Sequence, residues 1–272
     1  MIKIIKKVYN KIRSYSYNPF DGMLSTREYR RLKRLPAGTP GKTLLFDKSF
    51  EFSDSSAFLF SMQEQFLEKT YLFKAQSDTP FIIDCGANIG LASLYFLTIF
   101  PKATVMAFEP DKNIYGVYIR NMESFSLTDS VQVFNSAVWV ENTELNFFAD
   151  NSLAGSLEFD AQKKGNLQKV NAIRLKDILR NKKIDFLKID IEGAEFSVIF
   201  DIEDELKNVE CLFLEYHNIV GRPEKLSAIL SVITKAGFRF YIKNGFDYCK
   251  HPFTDIKLEM FDFCINIFCY RN

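Results

Sequence analysis

The stretch Phe81-Ile-Ile-Asp-Cys-Gly-Ala-Asn-Ile-Gly90, running on into Leu91–Phe100, decides how this 272-residue chain folds. An apolar run of strand length ends in the carboxylate of Asp84, a glycine-bearing turn follows, and an apolar helix opens at once. The alternation continues downstream. Thr104–Phe108 is a second strand ending at Glu109-Pro110, residues 111–125 a helix, and Val131–Phe134 a third strand. Ala137–Val140 and Leu145–Ala149 are strand-like, and a polar loop runs to about residue 169. Leu175–Arg180 reads as a short helix, Phe186–Asp190 as the fourth strand, 193–207 as helix, and Cys211–Tyr216 as the fifth strand. Pro223–Ala236 is a helix stopped by Gly237, and 238–243 and 261–270 close the chain as strands. Strands alternating with helices predict an α/β fold: a doubly wound, mostly parallel sheet with helices on both faces.

The expected division is 1–78 as a basic N-terminal arm and capping region, and 79–272 as the main domain. Residues 1–16 space Ile2, Ile5, Val8, Tyr9 and Ile12 as a short amphipathic helix with lysines between them. Docking on the body, or an oligomer contact, is the preferred reading of that helix; peripheral contact with an anionic membrane is the second. Pro36–Gly41 is a loop, a hairpin turns about Asp47-Lys48, and Ser55–Phe73 is a helix with Ser55 as its N-cap. This region is expected to cap the main domain rather than fold alone.

Composition narrows the classes. The chain is 47% hydrophobic with 12 Gly and 8 Pro, which excludes general disorder and collagen-like sequence. No run approaches the roughly 18 to 20 uncharged apolar residues of a membrane span. A net charge of +1 conceals eleven Lys/Arg against two Asp/Glu in residues 1–43, and an acidic remainder. Five cysteines form no C-x-x-C pair, and the N-terminus lacks a secretory h-region. Free thiols in a reducing, cytoplasmic compartment are the expectation, and an acidic body without a basic-aromatic groove argues against nucleic acid.

In open α/β sheets, ligands bind at the carboxyl ends of the strands where strand order reverses. Gly86 lets the backbone turn sharply off the strand, and Gly90 permits close approach of ligand or helix. A dinucleotide fingerprint registered on Gly86 needs glycine at 88 and 91; the chain has Asn88 and Leu91. Asp84 would repel a pyrophosphate and suits a cationic or hydroxylated ligand. Glu109, nineteen residues after Gly90, can accept both hydroxyls of a ribose. A nucleoside with a positive centre is implied, and S-adenosylmethionine fits.

These motifs resemble those of Rossmann-like S-adenosylmethionine methyltransferases, and of the FkbM family in particular. The match runs through Phe81–Gly90, Ala107-Phe-Glu-Pro110, Asn135-Ser-Ala137, Leu187-Lys-Ile-Asp-Ile-Glu-Gly-Ala-Glu195 and Leu214-Glu-Tyr-His217. The resemblance implies a seven-stranded methyltransferase sheet and methyl transfer, usually to oxygen, on a small-molecule or saccharide acceptor. The expected donor-binding set is Asp84, Gly86, Asn88, Gly90, Glu109, Ser136 and Asp190. Lys188, Asp190 and Glu192 from the fourth strand, with Glu215 and His217 from the fifth, form the candidate catalytic patch.

His217 is the expected general base, since imidazole titrates near neutrality, with Glu215 orienting it and Asp190 bordering the methyl and acceptor positions. Asp190, Glu192, Glu215 and His217 could instead hold a hard divalent ion, but metal-free base catalysis is preferred. Lys188 has a blander reading as a rim ion pair with Glu192 or Glu215. Glu195 is expected to hydrogen-bond at a helix terminus, and His251 to be exposed. Residues 55–73 and the loop at 150–169, whose Asn151–Ser156 stretch suits a closing lid, are candidates for the acceptor pocket. The competing functions are a catalytically silent nucleoside-binding module and a nicotinamide-dependent oxidoreductase.

Overall fold

The computed structural model describes residues 17–149, 166–246, 251, 253–254 and 261–271. The basic helix expected over 1–16 and the lid-like 151–156 lie outside them. The first described element, α1 (Thr26–Leu32), falls within the basic N-terminal arm; Ser25 caps it by accepting from the Glu28 N–H at 3.2 Å. Strands β1 (Gly41–Leu45) and β2 (Lys48–Phe52) form the hairpin, Leu45 opposite Lys48. Its two turn residues are Phe46 and Asp47, both with positive φ, one position earlier than expected. Helix α2 (Ser55–Met62) is capped by Asp54, whose Oδ1 accepts from Ser56 N at 2.6 Å and Ala57 N at 2.9 Å. Ser55 is the first helical residue rather than the cap. The helix then widens into a π turn over Gln63–Leu67, with Glu68 N bonded to Gln63 O at 3.0 Å, and stops short of the expected Phe73.

The main sheet begins with β3 (Phe81–Cys85), four of whose five residues are buried, as a strand covered on both faces must be. Helix α3 (Leu91–Ile99), β4 (Thr104–Phe108), α4 (Lys112–Phe125) and β5 (Val131–Phe134) follow. A smaller sheet interrupts the winding. It contains β6 (Ala137–Trp139), β7 (Thr143–Ala149) and β8 (Asn166–Arg174), in the order β6-β8-β7. Strand β8 corrects the sequence reading, which carried the polar loop to 169. The chain resumes with α5 (Leu175–Leu179), β9 (Ile184–Ile189), α6 (Glu195–Asp201), a 3-10 turn at Glu203–Asn208, and β10 (Val209–Ile219). It ends with α7 (Leu226–Lys235), β11 (Arg239–Phe246) and β12 (Phe261–Tyr270).

The seven-stranded order is β11-β12-β10-β9-β3-β4-β5. All neighbours pair in parallel except β12, which runs antiparallel to β10 and β11. Strand order reverses at β3, flanked by β4 on one side and β9 on the other, so the ligand cleft belongs above β3 and β9.

Alternation along the strands sends successive residues to two cores. Ile82, Phe186 and Phe213 enter one cluster, which the cap completes with Phe20, Leu24, Phe50, Phe58, Met62, Phe66 and Tyr71. Ile83, Leu187, Leu212 and Leu214 enter the other, under α6 and α7. The Tyr71 ring meets Phe213 edge-on at 4.9 Å, and Phe96 meets Phe186 at 5.2 Å. The apolar core thus runs across the division expected at 78/79. Among the described residues, no helix is long and apolar enough to cross a membrane.

Candidate active site

Asp84 and Lys188 are register partners on adjacent parallel strands, so their side chains leave the same face side by side. The Lys188 ammonium lies 3.4 Å from Asp84 Oδ1 and donates to Asp190 Oδ2 at 3.1 Å and to the Gly86 carbonyl at 3.0 Å. Asp84 Oδ2 also accepts from the Ser93 hydroxyl at 3.2 Å, and Ser93 from Tyr118 at 2.9 Å. Asp84 is 0% exposed. Two expectations are corrected here. Asp84 meets an internal lysine rather than facing out to a ligand, and Lys188 pairs with Asp84 and Asp190 rather than with Glu192 or Glu215. Burial raises the Asp84 carboxyl, and the ammonium opposes it. Burial works against the charge on Lys188 too, but Asp190 and Asp84 outweigh it and hold the group protonated.

The turn above this pair is built for close approach. At Gly86, φ +81, a Cβ would stand 1.8 Å from the Asp190 carbonyl oxygen, so the backbones of the first and fourth strand ends touch. At Gly90 a Cβ would meet Tyr118 at 2.9 Å. Asn88 N donates to Glu109 Oε2 at 2.9 Å, and Asp111 N to Glu109 Oε1 at 2.8 Å. Burial pushes the Glu109 carboxyl up to about 8 against the pull of these two N–H groups. Each oxygen retains lone-pair capacity for a further donor. Ser136 lies buried just beyond β5. Asn121 Nδ2 holds Ile89 O at 2.9 Å and Glu51 O at 3.0 Å, tying the turn to the cap hairpin.

The second cluster gathers on His217. Its Nδ1 lies 3.1 Å from Glu195 Oε1, and its Nε2 lies 3.5 Å from both Glu192 Oε2 and Glu215 Oε1. Glu195, 1% exposed, also accepts from Gly193 N at 2.9 Å, which shapes the loop between β9 and α6. Glu192 sits there with φ +55, a conformation side chains other than glycine rarely adopt. Burial works against a charged imidazole, yet Glu192 and Glu195 outweigh it and hold His217 well above its usual value. An imidazolium has no lone pair with which to take a proton, so this environment disfavours the expected neutral base. Burial pushes Glu192 up to about 8, with His217 opposing.

The sequence reading missed three participants. Cys264 and Asn266 arrive from β12, opposite His217 and Glu215, and Cys264 Sγ lies 3.1 Å from Glu215 Oε1. A lone Asn within the apolar run Cys264–Phe268 was the available signal. Glu64 reaches the rim from the π turn, its Oε1 accepting from Asn266 Nδ2 at 3.2 Å. Burial, with Glu215 and Asp190 nearby, pushes its carboxyl up to about 7. Nothing in the local pattern marked Glu64. His251 is exposed.

Sheet order, the reversed strand β12 and the glycine turn at the switch point define a Rossmann-like methyltransferase. Residues 84–240 match the Methyltransferase FkbM domain, and the chain belongs to that family of S-adenosylmethionine-dependent methyltransferases. It is similar to Methyltransferase 1 of Beauveria bassiana, 30% identical over 169 residues, covering 54% of this chain and 68% of that protein. It is also similar to 2-O-methyltransferase NoeI of Sinorhizobium fredii, 28% identical over 156 residues, 50% of this chain and 63% of that one. A solved Methyltransferase FkbM from Methylobacillus flagellatus KT overlaps at TM-score 0.48 and 17% identity, over 73% of this chain and 46% of that chain. Family membership sets aside the nicotinamide-dependent reading.

Proposed function

We propose that this protein transfers a methyl group from S-adenosylmethionine to a hydroxyl of a small-molecule or saccharide acceptor. The acidic rim carries the reading. Asp190, Glu192 and Glu215 stand beside a glycine turn at the switch point, and the neighbouring cations Lys188 and His217 are already engaged by carboxylates. Such a rim favours a positive centre over a pyrophosphate. Glu109 would hold the ribose through its remaining lone pairs, the Gly86–Gly90 backbone would cradle the amino acid tail, and Ser136 would border the base. When bound, the donor supplies an electrophilic methyl on a sulfonium, and alignment with the acceptor supplies much of the rate.

The chain's own groups divide the remaining work. Lys188 fixes Gly86 and Asp190 together from below, and His217 gathers Glu192, Glu195 and Glu215 as a bound cation. Two triads, Asp190/Glu192/His217 and Glu215/His217/Cys264, each bring ligand atoms within 4.8 Å. In the triad that includes Asp190 a divalent ion would have to displace the Lys188 ammonium, and in either triad a proton of the imidazolium, so the metal-free reading is kept. Oxygen as the methylated atom is supported by the similarity to a 2-O-methyltransferase.

Calorimetry with S-adenosylhomocysteine and NAD+ tests the donor: the first is expected to bind, and tight binding of NAD+ alone would overturn the reading. A screen of hydroxyl-bearing saccharides and small molecules with methyl-labelled donor tests the acceptor atom. Label recovered as an alkali-stable ether supports transfer to a hydroxyl; label recovered on nitrogen or as an ester refutes it.

A further inference from the structure

We propose that Glu64, carried over the rim by the π turn of the cap, is the carboxylate set against the transferring methyl and the group that receives the acceptor's proton. This rests on the reading of the chain as a donor-binding methyltransferase acting on oxygen. The turn that delivers Glu64 departs from the helix before it: Glu68 N bonds to Gln63 O at 3.0 Å and Thr70 N to Glu64 O at 3.1 Å. Single π turns inside α-helices are frequent at functional sites. Glu64 is anchored on Asn266, which is 5% exposed and lies opposite Glu215 in the β10–β12 ladder. Asp190 and Lys188, whose charges act on Glu64, are bonded to each other at 3.1 Å, and Lys188 to the Gly86 carbonyl at 3.0 Å.

The other acids at this rim have taken on cations. Asp190 is paired with Lys188, and Glu192, Glu195 and Glu215 surround His217. Glu64 is instead bonded to a neutral amide. Burial, reinforced by Glu215 and Asp190 and opposed by Asn266 and Lys188, brings its carboxyl to about 7. That range suits a proton acceptor at neutral pH. In the step itself, the acceptor oxygen forms its bond to carbon as the carbon–sulfur bond breaks. The released electron pair stays on sulfur as a neutral thioether, and the hydroxyl proton passes to the Glu64 carboxylate. No oxidant or reductant is involved.

The test compares two ligands by calorimetry between about pH 6 and pH 8.5. Sinefungin carries an amine-bearing carbon in place of the methylated sulfur, whereas S-adenosylhomocysteine carries bare sulfur. Groups that face the shared ribose and base, Glu109 among them, act on both ligands and cancel in the ratio of dissociation constants. That ratio is expected to favour sinefungin by about tenfold more as pH rises through 7, the size of one added charge interaction. Glu64→Gln should flatten it to within about twofold, and Glu64→Asp should retain the rise. Lys188, Asp190, Glu215 and Tyr71, which share the surroundings of Glu64, and Glu192 beside His217 remain in every variant. A pH dependence that survives Glu64→Gln therefore belongs to them and overturns the proposal. A flat wild-type ratio also overturns it, whatever the fate of the variants, while leaving donor binding intact. Failure of both ligands to bind at any pH would instead sink the donor reading.

Discussion

Replacing Lys188 by Met keeps the length of the stem, removes the charge, and leaves the Asp84 carboxylate enclosed with the Ser93 hydroxyl as its remaining partner. At 3.4 Å and an effective dielectric of about 20, Coulomb's law gives about 5 kcal/mol for the lost attraction. Breaking buried pairs from one side costs about 3–5 kcal/mol by experiment, so a deficit of about 4 kcal/mol is expected at pH 8. The pH dependence has a fixed sign. Lys188 is raised above its ordinary 10.5, so its contribution in the wild type is complete below that value and constant from pH 5.5 to 8. In the variant the Asp84 carboxyl, already raised from 3.8, climbs further without the ammonium. A carboxyl raised on folding weakens the fold as pH rises and restores it as protonation sets in. The deficit should therefore shrink on acidification. Urea unfolding at pH 8 and pH 5.5 measures both values, and Asp84→Asn combined with Lys188→Met should recover about 2 kcal/mol in a double-mutant cycle. A deficit under about 1 kcal/mol at pH 8, or one equal at the two pH values, would refute the internal-cation account.

Gly86→Ala places a methyl 1.8 Å from a backbone oxygen and should cost at least about 3 kcal/mol while abolishing S-adenosylhomocysteine binding; wild-type unfolding and affinity would remove the case for the touching strand ends. Glu109→Ala removes the acceptor of two backbone N–H groups as well as the ribose contacts, and should loosen S-adenosylhomocysteine about 30-fold in calorimetry. An unchanged affinity in a folded Glu109 variant contradicts the ribose role. Asp54→Ala should lower stability by about 1–2 kcal/mol in thermal unfolding, as loss of an N-cap does, and a change below about 0.3 kcal/mol would show that Ser55 or water takes over the cap.

The sheet was legible because β3, β4, β9 and β10 are covered on both faces and so carry short apolar runs, Phe81–Ile83, Val105–Phe108, Phe186-Leu187 and Cys211–Leu214. Strand β8 was not. Its Asn-Leu-Gln-Lys-Val-Asn-Ala-Ile-Arg alternates because it lies in a small side sheet, with Val170 and Ala172 turned in and Lys169 and Asn171 left in water. Asp84 and Lys188 could be placed near each other from strand order alone, but their direct pairing depended on register. The state of His217 depends on three carboxylates from two segments, Glu192 and Glu195 after β9 and Glu215 two residues away on β10. Local pattern offers no way to sum those. Glu64 lay further out of reach, since its place follows from how a separate cap packs across the sheet.

That packing has a consequence for how such an enzyme can change. Tyr71 and Phe66, a few residues from Glu64, are also part of the aromatic wall against which Phe96, Phe186 and Phe213 settle. If this roof also chooses the acceptor, drift in selectivity is drawn from the same residues that keep the barrier to unfolding high. New specificities would then arise mostly in variants that first gain reserve stability elsewhere, in regions such as α7 that have no share in the roof.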